Sequence, residues 1–195
     1  PENRFDVRRM LVGSEGTLAV TTRATVDLVT EPAFRILVVL GFPDIAPASD
    51  AAPTVLTFAP TACEGIDSRI VDVVRESRGP HAVPPLPGGA AWLFVEVVGD
   101  TREQAMDRAG AVARGCGAVD SLVVTDAERT ARLWQIRADG AGLAGRSPAG
   151  LPAHAGWEDA AVPPASLGRY LRDFDELMAQ YGVTGLPYGH FGDGC

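Results

Sequence analysis

Apolar and polar residues recur along this chain with two periods, one near 2 and one near 3.6, and the switches between them mark its elements. Ala24, Val26 and Leu28 alternate with Thr25, Asp27 and Val29, which predicts a half-buried strand closed by Pro32. RILVVLGF, from Arg35 to Phe42, is an unbroken apolar run of the length of a buried strand. DIAPASDAAPTVLTFA then predicts a helix, its start delayed by Pro47 and capped by Ser49 or Asp50. In DSRIVDVVRES the residues Ile70, Val73 and Val74 share a helical face, with Asp67 or Ser68 as the cap.

Gly79 to Gly89, GPHAVPPLPGG, is too rich in Pro and Gly for regular structure and predicts a long surface loop. AWLFVEVVG follows as the clearest strand. DTREQAMDRAGAVARGCG then places Thr101 and Gln104 at capping-box spacing before an apolar stripe of Ala105, Ala109, Val112 and Ala113. SLVVTD reads as a strand and AERTARLWQIRADGAGLAG as a helix built on Leu133, Ile136 and Leu143. A Gly/Pro-rich loop from Gly145 to Gly156, a short extended WEDAAVP and a long helix opened by Pro163 and Pro164 and stopped by Gly182 complete the series. GLPYGHFG closes it as a strand running into a loop. This alternation predicts an α+β fold, a ferredoxin-like antiparallel sheet covered by helices. Two such units side by side would suit the same beat, although no sequence repeat supports the duplication.

The chain has 195 residues, 46% of them hydrophobic, enough for a substantial core. Its formal charge is −8 and its 17 basic residues, all Arg, are scattered, which argues against nucleic-acid binding. No stretch approaches the roughly 18 consecutive apolar residues of a membrane span, and no leader is evident, so a cytoplasmic protein is expected. Cys63, Cys116 and Cys195 are odd in number and far apart, and read as reduced thiols rather than a zinc or iron–sulfur set.

Four stretches could carry chemistry. LVGSEGTLAV holds Gly13, Ser14, Glu15, Gly16 and Thr17 in a tight turn between apolar runs; glycines there can turn backbone N–H groups inward as an anion cradle, and an ordinary β-turn fits the same spacing. LWQIRADG sets Arg137 one turn beyond Leu133 and Trp134. That guanidinium suits bidentate carboxylate recognition, or equally a solvated head on an apolar stem. Glu158 and Asp159 of GWEDAAVP are adjacent, so on a strand they face opposite ways. His81 and His154 sit in loops and read as solvated. In YGHFGDGC three glycines thin the chain around His190 and Asp193, where an imidazole could ligate a metal or accept a proton. A metal site needs at least three protein ligands, and this stretch supplies one or two.

GSEGTLAVTTRATVDL, LWQIRADG, GWEDAAVPPASLGRYL and YGHFGDGC, in this order, resemble the FAD-linked oxidases of the vanillyl-alcohol-oxidase type, in particular the branch of D-lactate, glycolate and D-2-hydroxyglutarate dehydrogenases. ACEGIDSRIV also looks like that family. The resemblance implies that residues 1–31 are the C-terminal end of a FAD-binding domain. Residues 32–195 would be the substrate or cap domain, ending inside a metal motif similar to G-H-x-G-D-G-N-x-H whose second histidine and a later glutamate lie beyond this chain. Gly13 to Thr17 would contact FAD, Arg137 would hold the substrate carboxylate, and His190 would ligate a divalent metal, Zn or Mn, near the 2-hydroxyl. Asp193 would support that loop. Cys195 and the GWEDAAVPP wording are similar to the long members fused to an iron–sulfur domain.

The implied activity is oxidation of a small D-2-hydroxy acid by hydride transfer to FAD, with electrons passing to an acceptor that a cytoplasmic enzyme could meet at the membrane surface. Relatives acting on D-2-hydroxyglutarate place a threonine four residues after the arginine and a basic residue two before the aspartate of the WED-like strand. Ala141 and Trp157 stand there, so two contacts to a second carboxylate are missing. Two other readings compete: a non-catalytic ferredoxin-like binding module, which the pattern alone permits, and a metal-dependent hydrolase on His190 and Asp193, which lacks an accompanying nucleophile and base.

Overall fold

A computed structural model describes residues 6–143 and 160–195. His154 and the predicted loop from Gly145 to Gly156 lie outside the described residues, as do Trp157, Glu158 and Asp159 of the predicted extended WEDAAVP segment, whose remaining residues 160–163 form no ladder among the described residues. The chain divides into two compact units, Pro1–Glu31 and Pro32–Cys195, and each is described by itself.

In the first unit a helix, α1 (Val7–Gly13), is capped by Asp6, whose carboxylate accepts from the backbone N–H groups of Arg8 and Arg9. A β-turn follows, closed by the Thr17 N–H to Ser14 O bond of 2.9 Å, with Glu15 and Gly16 both at positive φ. The strand expected over residues 24–29 does not form. Val26, Leu28 and Val29 are exposed, and no ladder involves them among the described residues. Alternation specifies two faces, but a strand also needs a hydrogen-bonded neighbour, and this unit provides none there.

The second unit opens with β1 (Phe34–Phe42), buried from Ile36 onward. Its even positions Ile36, Val38, Leu40 and Phe42 enter one apolar layer, and Leu37 and Val39 enter another on the opposite face. Burial on both faces is why the run is unbroken rather than alternating. Next comes α2 (Ile45–Leu56), which starts earlier than Pro47 suggested. Asp44 is the cap, its carboxylate accepting from Ile45 N–H at 2.6 Å. Pro47 falls in the first turn, where a missing N–H removes no helical bond. Ser49 instead donates to Ile45 O, and Asp50 pairs with Arg172 at 2.8 Å.

The strand β2 (Ala62–Asp67) leads into α3 (Ser68–Arg78), which Asp67 caps by accepting from Arg69 N–H. The Pro-rich loop contains one 3-10 turn, Pro80–Ala82. It is not wholly on the surface, since Val83 is buried and Trp92 Nε1 donates to Pro87 O. Then follow β3 (Ala91–Gly99), α4 (Arg102–Gly115), β4 (Asp120–Val124) and α5 (Ala127–Leu143). Thr101 caps α4 by accepting from Gln104 N–H, while Gln104 reaches back to the N–H of Asp100. Last are α6 (Leu167–Gln180) and the two-residue β5 (Tyr188–Gly189).

All strand pairs are antiparallel and the sheet order is β4-β1-β3-β2-β5. The first four strands in the order 4-1-3-2, with α2 and α4 as their crossovers, make a single ferredoxin-like unit. To it the chain adds α3 between β2 and β3, and β5 along the free edge of β2. Among the described residues no second ferredoxin-like repeat forms, because α5 and α6 pack on the existing sheet or on its helices. One face carries α2, α4 and α6 through Ala48, Ala52, Ala105, Ala109 and Leu167, and the other carries α3 and α5 through Ile70, Val74, Leu133 and Ile136. Each fully buried Leu, Ile or Phe contributes about 1.5–3 kcal/mol, so this two-sided burial is what holds the β2 edge in place.

Candidate functional site

The pleat of β2 decides where its side chains go. Cys63 packs into the layer of α2 and α4 and Ile66 into that of α3 and α5, so Glu64, sharing the Ile66 face, points toward α5. It stands opposite Phe94 on β3, whose ring meets Trp134 of α5 edge-on, centroids 5.7 Å apart. On the other side of β2 the ladder pairs Gly65 with Gly189 and Ile66 with Tyr188. Continuing that register by one residue sets Glu64 opposite His190, and period 2 sets Tyr188 on the same face as both.

Three side chains therefore meet. Glu64 Oε2 accepts from Arg137 Nε at 3.0 Å, and Glu64 Oε1 lies 2.7 Å from His190 Nδ1. The Arg137 guanidinium carbon sits 4.8 Å from the centroid of the Tyr188 ring. Arg137 and Glu64 are mostly buried, at 18% and 12% side-chain exposure, while His190 is open at 56%. The pair is thus a largely desolvated ion pair whose imidazole neighbour faces solvent. Arg137 projects there because Leu133 and Ile136 pin α5 to the sheet, and Gly140, whose missing Cβ leaves room for Ile70, lets α5 approach α3 closely.

The loop carrying His190 is anchored from beneath. Phe191 is buried in the α2 layer, and its ring occupies the space that a side chain at Gly65 would fill. The 3-10 turn Phe191–Asp193 folds back so that the N–H groups of Asp193 and Cys195 both donate to His190 O, at 2.9 and 3.1 Å. Gly194 ends it in the left-handed region with φ 77°, and Val162 N–H donates to Gly194 O. Asp193 supports the loop through its backbone; its carboxylate makes no hydrogen bond among the described residues.

Cys63, next to Glu64, is no nucleophile: burial, then the charge of Glu64, pushes its thiol up to about 12. Burial also raises the Cys116 thiol. His81 is exposed in its loop.

Glu64 was not singled out by sequence reasoning, which assigned no strand to residues 62–67. The available signal was a glutamate flanked by small and apolar residues. Such a carboxylate is rarely buried without a partner.

Among the described residues no three His, Cys, Asp or Glu side chains gather as a metal site. His190 fits as one ligand, its Nε2 having no hydrogen-bond partner among them, and a bound metal needs further ligands. For FAD, the turn at Gly13 to Thr17 does not form a row of inward N–H donors. Ser14, Glu15 and Thr17 N–H donate to Leu11, Val12 and Ser14 carbonyls, and the Ser14 and Thr17 hydroxyls donate to Leu11 and Ser14 carbonyls. The turn and the Arg137 site belong to different units. No helix among the described residues is long and apolar enough to cross a membrane.

Fold and site together define an α+β domain that gathers an arginine and an imidazole on one carboxylate at the edge of its sheet. The family model for the C-terminal domain of FAD linked oxidases matches residues 31–195, and the chain belongs to that family. A D-lactate dehydrogenase of Archaeoglobus fulgidus is 32% identical over 192 residues, covering 97% of this chain and 41% of that protein. A D-2-hydroxyglutarate dehydrogenase of Escherichia coli is 28% identical over 206 residues, covering 96% of this chain and 20% of that protein. The glycolate oxidase subunit GlcD of Bacillus subtilis is 27% identical over 196 residues, covering 97% and 40%. The chain thus spans between a fifth and two fifths of the length of these relatives.

Proposed function

We propose that this chain is the substrate-side part of a flavin-dependent dehydrogenase that oxidises a small D-2-hydroxy acid to the 2-oxo acid. One observation carries the reading: Arg137 and His190, far apart in sequence, meet on the two oxygens of Glu64. Arg137 gives Nε to Glu64, and its two Nη atoms are the fork that holds a carboxylate in a defined plane. With the acid end held there, the 2-hydroxyl would fall toward the exposed imidazole.

His190 Nε2 would be one ligand of a divalent metal, Zn or Mn, with the remaining ligands outside the set described. Bound FAD supplies the hydride acceptor for C2, and the metal supplies positive charge that acidifies the hydroxyl. The contributions of this chain are binding and orientation at those two points. Assignment of residues 1–31 to the FAD-binding domain and an iron–sulfur domain in the parent protein rest on sequence resemblance and belong to the same proposal, as does contact of Gly13 to Thr17 with FAD, which the turn would make without a row of inward N–H donors.

Ala141, one turn beyond Arg137 on α5, has no polar group to offer a second carboxylate. The proposed substrate class is a small D-2-hydroxy acid, D-lactate-like or D-2-hydroxyglutarate-like. The test is to express the uninterrupted reading frame that contains this chain and record its visible spectrum before and after adding D-lactate or D-2-hydroxyglutarate. Flavin bands that bleach are expected. A colourless protein would overturn the proposal and favour a non-catalytic binding module.

A further inference from the structure

Glu64 touches both groups that the proposed reaction needs and takes neither role itself. A carboxylate only accepts hydrogen bonds. Facing Glu64 Oε1 at 2.7 Å, a neutral His190 must therefore carry its proton on Nδ1, which leaves the lone pair on Nε2. Facing Oε2 at 3.0 Å, Arg137 donates Nε–H, and the planarity of the guanidinium then sets the direction of both Nη atoms. Among the described residues those Nη atoms make no hydrogen bond. Because both oxygens belong to one rigid group on a strand paired on both sides, the two orientations are tied together.

We infer that Glu64 is a positioning residue that fixes the tautomer of His190 and the direction of Arg137 at once, so that Nε2 and the Nη fork are presented as one constellation. The inference rests on the proposed function for what those atoms hold, but not for the tautomer itself. A glutamine at this position has the same shape with one acceptor oxygen in place of two. If that oxygen serves Arg137, the amide NH2 faces Nδ1 and drives the imidazole proton to Nε2.

The decisive measurement is the tautomer of His190, read from 15N shifts in this chain labelled at histidine, of which it has three, with His190→Gln assigning the signal. The expected result is Nδ1–H in the native protein and a shift toward Nε2–H in Glu64→Gln. A native Nε2–H tautomer would overturn the inference without any variant having to fold, as would a folded Glu64→Ala chain, which offers Nδ1 no acceptor at this position, that keeps Nδ1–H. Loss of an ion pair that only stabilises the fold would lower the unfolding midpoint and leave the tautomer alone.

In the full flavoprotein, Glu64→Gln should lower kcat/KM for the D-2-hydroxy acid by about 10–100-fold, as for other carboxylates that orient a functional histidine. Failure of the native flavoprotein to bleach would defeat the functional proposal, whereas the tautomer decides the role of Glu64 independently.

Discussion

The guanidinium of Arg137 lies over the ring of Tyr188, its carbon 4.8 Å from the centroid, so the cation is bordered by a carboxylate at Nε and by an aromatic face. Neither neighbour is close to it in sequence. An edge strand of only two residues brings the ring there.

Replacing Arg137 with Lys keeps the charge and discards both the fork and the Nε–H bond. The loss of a hydrogen bond to a charged group should cost about 1–3 kcal/mol in urea unfolding. In the flavoprotein KM should rise by about tenfold or more, since a point-like ammonium does not hold a carboxylate in a plane. Tyr188→Leu, which removes the aromatic face alone, should cost about 0.5–2 kcal/mol. An Arg137→Lys enzyme with native KM would count against the carboxylate role.

Gly65 and Phe191 are coupled by space. A Cβ on Gly65 would intrude on the Phe191 ring, so Gly65→Ala should cost about 1–3 kcal/mol by overpacking and should displace the loop that carries His190. Phe191→Ala leaves a cavity in the α2 layer and should cost about 3–5 kcal/mol. The double variant should cost clearly less than the sum, because the new methyl enters the vacated space. A double-mutant cycle from urea unfolding checks this, and strict additivity would refute the coupling.

Cys63 links stability to alkaline pH. Its folded thiol is pushed up from 9.0 to about 12, mainly by burial. Above pH 9.0 the unfolded chain gives up that proton and the folded chain retains it, so the contribution is whole below pH 9.0 and fades as pH climbs toward 12. Unfolding free energy should therefore decline over that window more steeply in the native protein than in Cys63→Ala, by at most about 1.4 kcal/mol per pH unit. Equal slopes in the two proteins would show that the thiol does not titrate differently on folding.

Most of the second unit was legible in the sequence because its elements report their own burial. β1 is covered on both faces and so reads as an unbroken apolar run, β3 reads as one interrupted by Glu96 alone, and α4 shows both its cap at Thr101 and its alanine stripe. The start of α2 is less legible: Pro47 suggests a later beginning, whereas the first helical turn tolerates a proline and Asp44 is the cap. Residues 24–29 showed the opposite error: the alternation was present and its hydrogen-bonding partner was not.

At the site, Arg137 and His190 could be named from residue chemistry and from the resemblance of their surroundings to a known family, but their meeting on one carboxylate could not. Glu64 lies in a six-residue strand whose glycine and glutamate blur the periodic signal. Its significance appears only once β5 pairs with β2 and α5 crosses the same face.

The amino-acid order alone determined the strand-helix succession, the apolar layers and the residue types available for chemistry, because those depend on neighbours a few positions away. The tertiary structure decided that one carboxylate should meet an arginine from a helix and a histidine from the sheet edge. Sheet register and helix approach are set by packing between distant segments, and no local pattern encodes that distance.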